Sequence, residues 1–426
     1  MSDVLVSADA QVPGATVIRS WKTPIALAVF TVLFAVLLLA APRSGGATTF
    51  RLSTQSDLVQ LPDLVVPVMP TAWACCVLVA LLAAASAYFV RQVGKSPLWI
   101  VIVSVIVLVV GFLAWAAEGG AVPIPGLLAG SLGLAVPLIY GALGGVIGER
   151  AGVVNIAIEG QLLAGAFTAA VISTVTGQPL LGMLGALVAG VVVAFILAAF
   201  AIKYFVDQVI VGVVLNVLVM GLTSFFYSQV LQPNGEALNS PPRFDRIPIP
   251  ILSEIPVVGP VLFRQTILVY IMYVAVFLVW FGMFKTRWGL RLRAVGEHPQ
   301  AADTVGIKVN ATRFWNVLLA GAIAGVGGTV FTIGNGIPFN KEMTAGAGFI
   351  ALAAVIFGQW HPVKATLAAL LFGFASNLQN TLSVIGSPVP SEFMLMLPYV
   401  VTIFVVAGVV GRSRAPAADG LPYIKG

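Results

Sequence analysis

The stretch GERAGVVNIAIEGQ, residues 148–161, sets two glutamates, an arginine, an asparagine and a glutamine inside otherwise apolar chain. Ionisable groups in hydrocarbon are costly, so they face a protein interior or a water-filled cavity. Glu149 and Arg150 fall near the end of an apolar run, where they reach water or pair. Asn155, Glu159 and Gln161 fall further in. On a helix, the spacing of Asn155 and Glu159 places both on one face, while Gly160 and Gly165 let a neighbouring helix approach closely. Two chemistries fit these groups: contact with a solute crossing the membrane, and satisfaction of backbone freed by a break in a helix. Other chemistries lack their residues. The two histidines, His298 and His361, exclude a histidine metal cluster. The adjacent Cys75 and Cys76 have neither metal-site nor disulfide-framework spacing. No G-x-x-x-x-G-K-[ST], H-E-x-x-H or G-x-S-x-G pattern occurs. The glycine-rich GAIAGVGGTVF has no lysine after it and reads as small-residue helix packing.

The elements that must position these groups follow from composition. Of 426 residues, 59% are hydrophobic and 9% charged, and mean hydropathy is +1.03. Soluble domains carry about 25% charged residues, so this is an all-α polytopic membrane protein with about 10–12 transmembrane helices. The alternation of a membrane β-barrel is absent. Spans are expected at 24–41, 71–90, 98–117, 126–147, 153–175, 180–202, 209–231, 266–284, 313–334, 346–360, 363–385 and 393–411. Segments 153–175 and 346–360 are the ones able to be broken or re-entrant. With the N-terminus inside, 16 of the 22 lysines and arginines fall inside and 6 outside, which sets the orientation with both termini cytoplasmic. The basic residues sit between apolar runs rather than in a soluble domain, which argues against nucleic acid despite a pI of 9.4. Four regions result: a cytoplasmic tail at 1–23, additional N-terminal spans at 24–117, a core at 118–411 and a cytoplasmic tail at 412–426. The EGGAVPIPG segment marks the junction before the core.

The connection 285–312 carries the densest positive charge of the inner face. Within it, Pro299 suits the first turn of a helix and Gly306 stops it, so a short helix is expected over Pro299–Val305. The whole passage, GLRLRAVGEHPQAADTVGI, resembles the cytoplasmic coupling loop of ABC importer permeases of the branched-chain amino acid, simple-sugar and nucleoside group. Gly289, Arg293, Ala294, Gly296, Ala301, Ala302, Gly306 and Ile307 match that family's pattern. Glu297, Pro299 and Asp303 lie within the same stretch, and His298 stands where the family usually has asparagine. GERAGVVNIAIEGQLLAGAF is similar to an early signature of the nucleoside and simple-sugar branch, and GFIALAAVIFGQWHP to a late one. The resemblance covers about 125–411.

The resemblance implies a transport subunit rather than an enzyme, working by alternating access, with Pro299–Val305 docked in a groove of a cytoplasmic ABC ATPase. ATP and Mg are used by that partner, and no cofactor is bound by this chain. It further implies a second related permease, an extracytoplasmic substrate-binding lipoprotein and a prokaryotic cytoplasmic membrane. The cargo expected is a nucleoside, with a simple sugar as the alternative. Tyr140, Asn155, Glu159, Gln161, Asn216, Asn335, Phe339 and Asn377 are candidate pathway residues. Amides can bond a base edge or sugar hydroxyl and aromatics can stack on a base, but the same residues also serve as helix–helix glue. A self-contained secondary transporter using Glu159 as an ion site is the rival reading; it would have no use for the 289–307 loop.

Overall fold

The computed structural model describes residues 20–43, 45–54, 57, 59–386, 396 and 414–425. The expected span 393–411 and nearly all of the 1–23 tail lie outside them. Among the described residues, ten helices are long and apolar enough to cross a membrane. The chain divides into two compact units, one containing 66–119 with most of the preceding N-terminal segment, the other containing 120–406 and the C-terminal residues.

The first unit is built from α1 (Lys22–Ala40), α2 (Val68–Val93) and α3 (Leu98–Ala116). Their outer faces are apolar and exposed, as suits lipid contact. Inside the unit, Gly111 lies against Cys75 and Phe34. The Trp115 indole donates to Ala41 O at 3.0 Å, and Arg43 lies 4.2 Å over the same ring.

The second unit holds the remaining helices. They are α4 (Ile124–Arg150), α5 (Ile158–Thr176), α6 (Pro179–Ala198), α7 (Gln208–Phe226), the one-turn α8 (Gly235–Leu238), α9 (Ile267–Lys285), α10 (Arg287–Glu297), α11 (Pro299–Thr304), α12 (Val309–Gly328), α13 (Ala347–Phe357) and α14 (Pro362–Ile385). Short π-helical turns extend α6 to Lys203 and α7 to Leu231. The proline-rich connection from 232 to 265 forms only short pieces, including an antiparallel pair that sets Arg246 opposite Thr266. Proline removes donors and keeps longer helices from forming there.

Two expected spans are revised. Helix α5 starts at Ile158, because residues 151–157 are irregular. Asn155 therefore precedes the helix, and the i,i+4 face expected for Asn155 and Glu159 does not exist. Helix α13 has 11 residues, about 16 Å at 1.5 Å per residue, which is half of a 30 Å hydrocarbon core. The stretch before it, 332–346, is a series of turns, so 346–360 is not a full span.

Helices α4, α5 and α12 are the most enclosed spans. Their contacts are close because small residues face one another. A methyl group at Gly190 of α6 would overlap the backbone of Gly321 on α12, and one at Gly325 of α12 would overlap Ala186 on α6. The glycine-rich GAIAGVGGTVF is thus the seam where α12 meets α6. Side-chain insertion into a packed site typically costs about 1–3 kcal/mol. Gly325→Val should accordingly lower the melting temperature of the detergent-purified protein, whereas Gly221→Val, whose added carbon meets nothing within 4 Å, should leave it unchanged.

Candidate functional site

The passage from α9 to α12 forms a compact surface element. Thr286 starts α10 by accepting from Gly289 N–H at 3.3 Å. Gly289 must be small, since any side chain would strike the Gly282 and Met283 carbonyls at the end of α9. Along α10, Leu292, Val295 and Gly296 face inward. Arg293 bonds Gly289 O at 3.3 Å and lies 5.0 Å over the Phe284 ring. The Trp288 indole donates to Asn316 on α12 at 3.0 Å. His298 then turns the chain, and α11 runs from Pro299 at its first position to Thr304. Gly306, at φ +85°, takes the left-handed conformation that ends a helix and favours glycine. On α11, Ala302 is buried and Asp303 half-buried, while Gln300, Ala301, Thr304 and Val305 are exposed.

This element is docked on the end of α4. Gly296 sits against the Arg150 carbonyl with no room for a side chain. Arg150 reaches Trp360 O with Nε at 3.1 Å, Gln359 O with Nη2 at 3.4 Å and the Glu297 carboxylate at 3.5 Å. Glu149 is 3% exposed and accepts a hydrogen bond from the Trp360 indole. Gln359 and Trp360 have φ of +54° and +52°, a conformation that costs a non-glycine residue about 1–3 kcal/mol. Their carbonyls are the ones Arg150 holds. His361 stacks on Phe284 at 4.8 Å. Burial lowers its pKa, and the positive charges of Lys364 and Arg150 lower it further. The early, loop and late sequence signatures therefore converge within one cluster.

Deeper in the unit, the candidate pathway residues take several positions. Asn155 and Gln161 bond each other reciprocally at 3.1 and 3.3 Å. Asn216 accepts from Gly160 N–H at 2.8 Å and donates to Ile156 O at 2.9 Å. Glu159 accepts from the Thr344 hydroxyl at 2.6 Å, Gly346 N–H at 2.9 Å and Gly348 N–H at 2.6 Å, capping the start of α13. Asn155, Gln161, Asn216 and Glu159 thus gather around the start of α5. Tyr140 donates to Leu268 O at 2.8 Å and Asn377 to Leu127 O at 2.7 Å, each elsewhere in the bundle. Phe339 is buried, with Phe167 edge-on at 5.2 Å. Asn335 lines a cavity of ≈ 390 Å³ with Arg243, Phe244, Arg246, Thr266 and Gly334.

Sequence reasoning missed the participation of Trp360, Arg313 and the C-terminal residues. Arg313 is 2% exposed and donates to Leu421 O at 2.6 Å and Ala418 O at 3.4 Å. Asp419 lies beside it. Burial raises the Asp419 pKa from 3.8 to about 7, an effect the Arg313 charge opposes. No signal in AADGLPYIK announces these contacts.

Residues 127–406 match the family described as branched-chain amino acid transport system / permease component. The chain is 42% identical over 305 residues to a guanosine ABC transporter permease protein of Bacillus subtilis (strain 168), covering 68% of this chain and 94% of that one. It is 40% identical over 312 residues to a nucleoside ABC transporter permease protein of Lactococcus lactis subsp. cremoris (strain MG1363), covering 70% and 96%. With a putative glucose ABC transporter permease protein of Haloferax volcanii it shares 34% identity over 312 residues, covering 68% and 93%. No solved structure matches the chain.

Two tests address this site. Glu159→Ala leaves the Thr344, Gly346 and Gly348 donors without their acceptor, and hydrogen bonds to a charged group are worth about 1.5–3 kcal/mol each. Melting should drop strongly for Glu159→Ala and less for Glu159→Gln, which keeps an acceptor oxygen. The second test concerns pH. Burial raises the pKa of docked Asp419 above its ordinary value, so the docked tail keeps this proton to higher pH than a released tail would. The stability this proton linkage gives the docked tail is therefore fully present below the ordinary carboxyl pKa of 3.8 and is lost as pH rises through the raised docked value. Hydrogen exchange at the Ala418 amide should show this decline, and Asp419→Asn should reduce it.

Proposed function

The chain belongs to the branched-chain amino acid transport system permease family, and on that premise we propose that it is the membrane-spanning subunit of an ATP-driven ABC importer of nucleosides. The observation that carries this reading is the cluster joining Arg150, Glu297 and Trp360. It ties the α10–α11 element to the end of α4, the most enclosed span, so a load on α11 reaches the bundle core. The relatives named for guanosine and nucleoside transport support the cargo. The neutral amides and aromatic groups of the bundle suit a solute that offers hydrogen-bonding edges and a flat face. The relative named for glucose makes a simple sugar the second reading.

In this proposal the exposed face of α11 docks in a groove of a separate ATPase, which uses ATP and Mg. That ATPase must bind one permease state better than the other, because a partner with equal affinity for both shifts nothing. The helices then alternate between outward-open and inward-open arrangements. A second, related permease and an extracytoplasmic binding lipoprotein complete the system, in a prokaryotic cytoplasmic membrane with both termini of this chain inside. The chain itself is a transport subunit, not an enzyme.

Uptake of labelled uridine or adenosine, in cells carrying the system with and without its ATPase, tests the reading. Uptake that requires both is expected. Uptake that persists without the ATPase and collapses with the proton gradient would replace it with an ion-coupled transporter, and uptake of sugar alone would change the cargo. Deleting Pro299–Val305 should leave insertion intact and remove the ATPase from the purified complex; retention of the ATPase would refute the docking assignment.

A further inference from the structure

Within the C-terminal residues Arg414–Lys425, the part from Ala417 onward touches the end of α10 and α11. Ala418 N–H donates to Gly296 O at 2.9 Å, and Ala417 N–H donates to the Glu297 carboxylate at 3.1 Å. Tyr423, 8% exposed, packs with Val295 of α10, Ala302 of α11 and Val309 of α12. Lys425 pairs with Asp303 at 3.9 Å. At the other side of the segment, buried Arg313 at the base of α12 grips the Ala418 and Leu421 carbonyls. One short stretch therefore links the end of α10, the inner face of α11 and the start of α12.

The mechanical consequence follows from the size of α11. A helix of six residues has almost no stability of its own, since isolated helices are marginal below about 12 residues. Exposed His298 precedes it, and Gly306, with a left-handed backbone, follows Val305. Its rigidity must come from tertiary contacts on its one buried face. That face is Ala302, and the aromatic group over it belongs to the C-terminal segment. The opposite face, with Gln300, Ala301, Thr304 and Val305, is open. A force on the open face reaches α12 and α4 only if the buried face does not slip.

We propose that Arg414–Lys425 is a transmission strap that pins α11 to α10 and α12, with Tyr423 as its main positioning residue. The strap makes the movement of α11 a movement of the bundle. This proposal rests on the ABC importer reading above.

The experiment uses the complete complex in proteoliposomes, with its binding protein, ATP and labelled uridine. It compares the wild-type chain with Tyr423→Ala, Tyr423→Phe and a chain ending at residue 413. Three quantities are read: ATPase co-purified, ATP hydrolysed, and uridine moved per ATP. In the Ala variant and the truncated chain, co-purification and hydrolysis are expected to persist while uridine per ATP falls about tenfold, a loss equivalent to about 1.4 kcal/mol of coupling. Tyr423→Phe, which keeps the ring in the Val295–Ala302–Val309 cluster, is expected to retain most of the wild-type ratio. A segment that only stabilised the fold would lower the amount of complex without changing that ratio. An unchanged ratio in both Tyr423→Ala and the truncated chain overturns the strap, as does loss of the ATPase from both. If the truncated chain does not insert, Tyr423→Ala alone decides. A wild-type complex that hydrolyses ATP but moves no uridine refutes the cargo reading. One that moves uridine without its ATPase refutes the importer reading and the strap with it.

Discussion

Hydrocarbon offers the backbone no hydrogen-bond partners, and this constraint explains a set of buried polar residues in the second unit. The chain breaks its helices at 151–157 and at 332–346. At the first break, Gln208 accepts from Val154 N–H at 2.8 Å, and Asn216 serves both Ile156 and Gly160. At the second, Thr332 donates to Ala166 O at 3.2 Å, and Glu159 holds two donors ahead of α13 and one in its first turn. The two breaks are thus joined: the carboxylate that begins α5 completes the start of α13. In these irregular stretches, side chains from neighbouring helices and backbone hydrogen bonds within the turns together take the place of water.

Close packing is the second requirement. Lipid tails are as apolar as leucine, so helices in a membrane associate through van der Waals fit rather than hydrophobic exclusion. Small residues let the backbones of α5, α6 and α12 approach closely at Gly165, Gly190, Gly321 and Gly325. On α4, Gly141 and Gly145 receive Ala351 and Val355 of α13. The half-length α13 is in this way held against the most enclosed span. Its C-terminal turn carries Gln359 and Trp360 to the end of α4, where Arg150 and Glu149 hold them.

At that meeting point the surface element and the bundle share one residue. Arg150 has one guanidinium shared between the α13–α14 turn and the α10–α11 element. Charge-assisted bonds of this kind carry direction as well as energy. With Gly296 seated on the Arg150 carbonyl, the surface element and the bundle are tied by contacts too close to slide freely.

The sequence by itself determined the class of this protein, most of its spans and the start of α11, with its end placed one residue beyond Thr304. Composition excludes a soluble domain, helices are the only way to satisfy backbone in lipid without closing a barrel, and proline followed by glycine delimits a short helix locally. It also marked Glu149, Asn155, Glu159 and Gln161 as unusual, because charge and amides stand out against apolar chain. What those groups touch was decided only by the tertiary structure. Asn155 was placed on a helix face because periodicity cannot reveal that the helix starts three residues later, at a break stabilised by Asn216 from a distant span. Glu159 meets Thr344, which is 185 residues away, and no local pattern encodes that separation. The C-terminal AADGLPYIK has ordinary composition and no periodicity. Its contact with α11 comes from Tyr423 and Lys425, and a buried arginine of α12 holds its backbone, all partners distant in sequence.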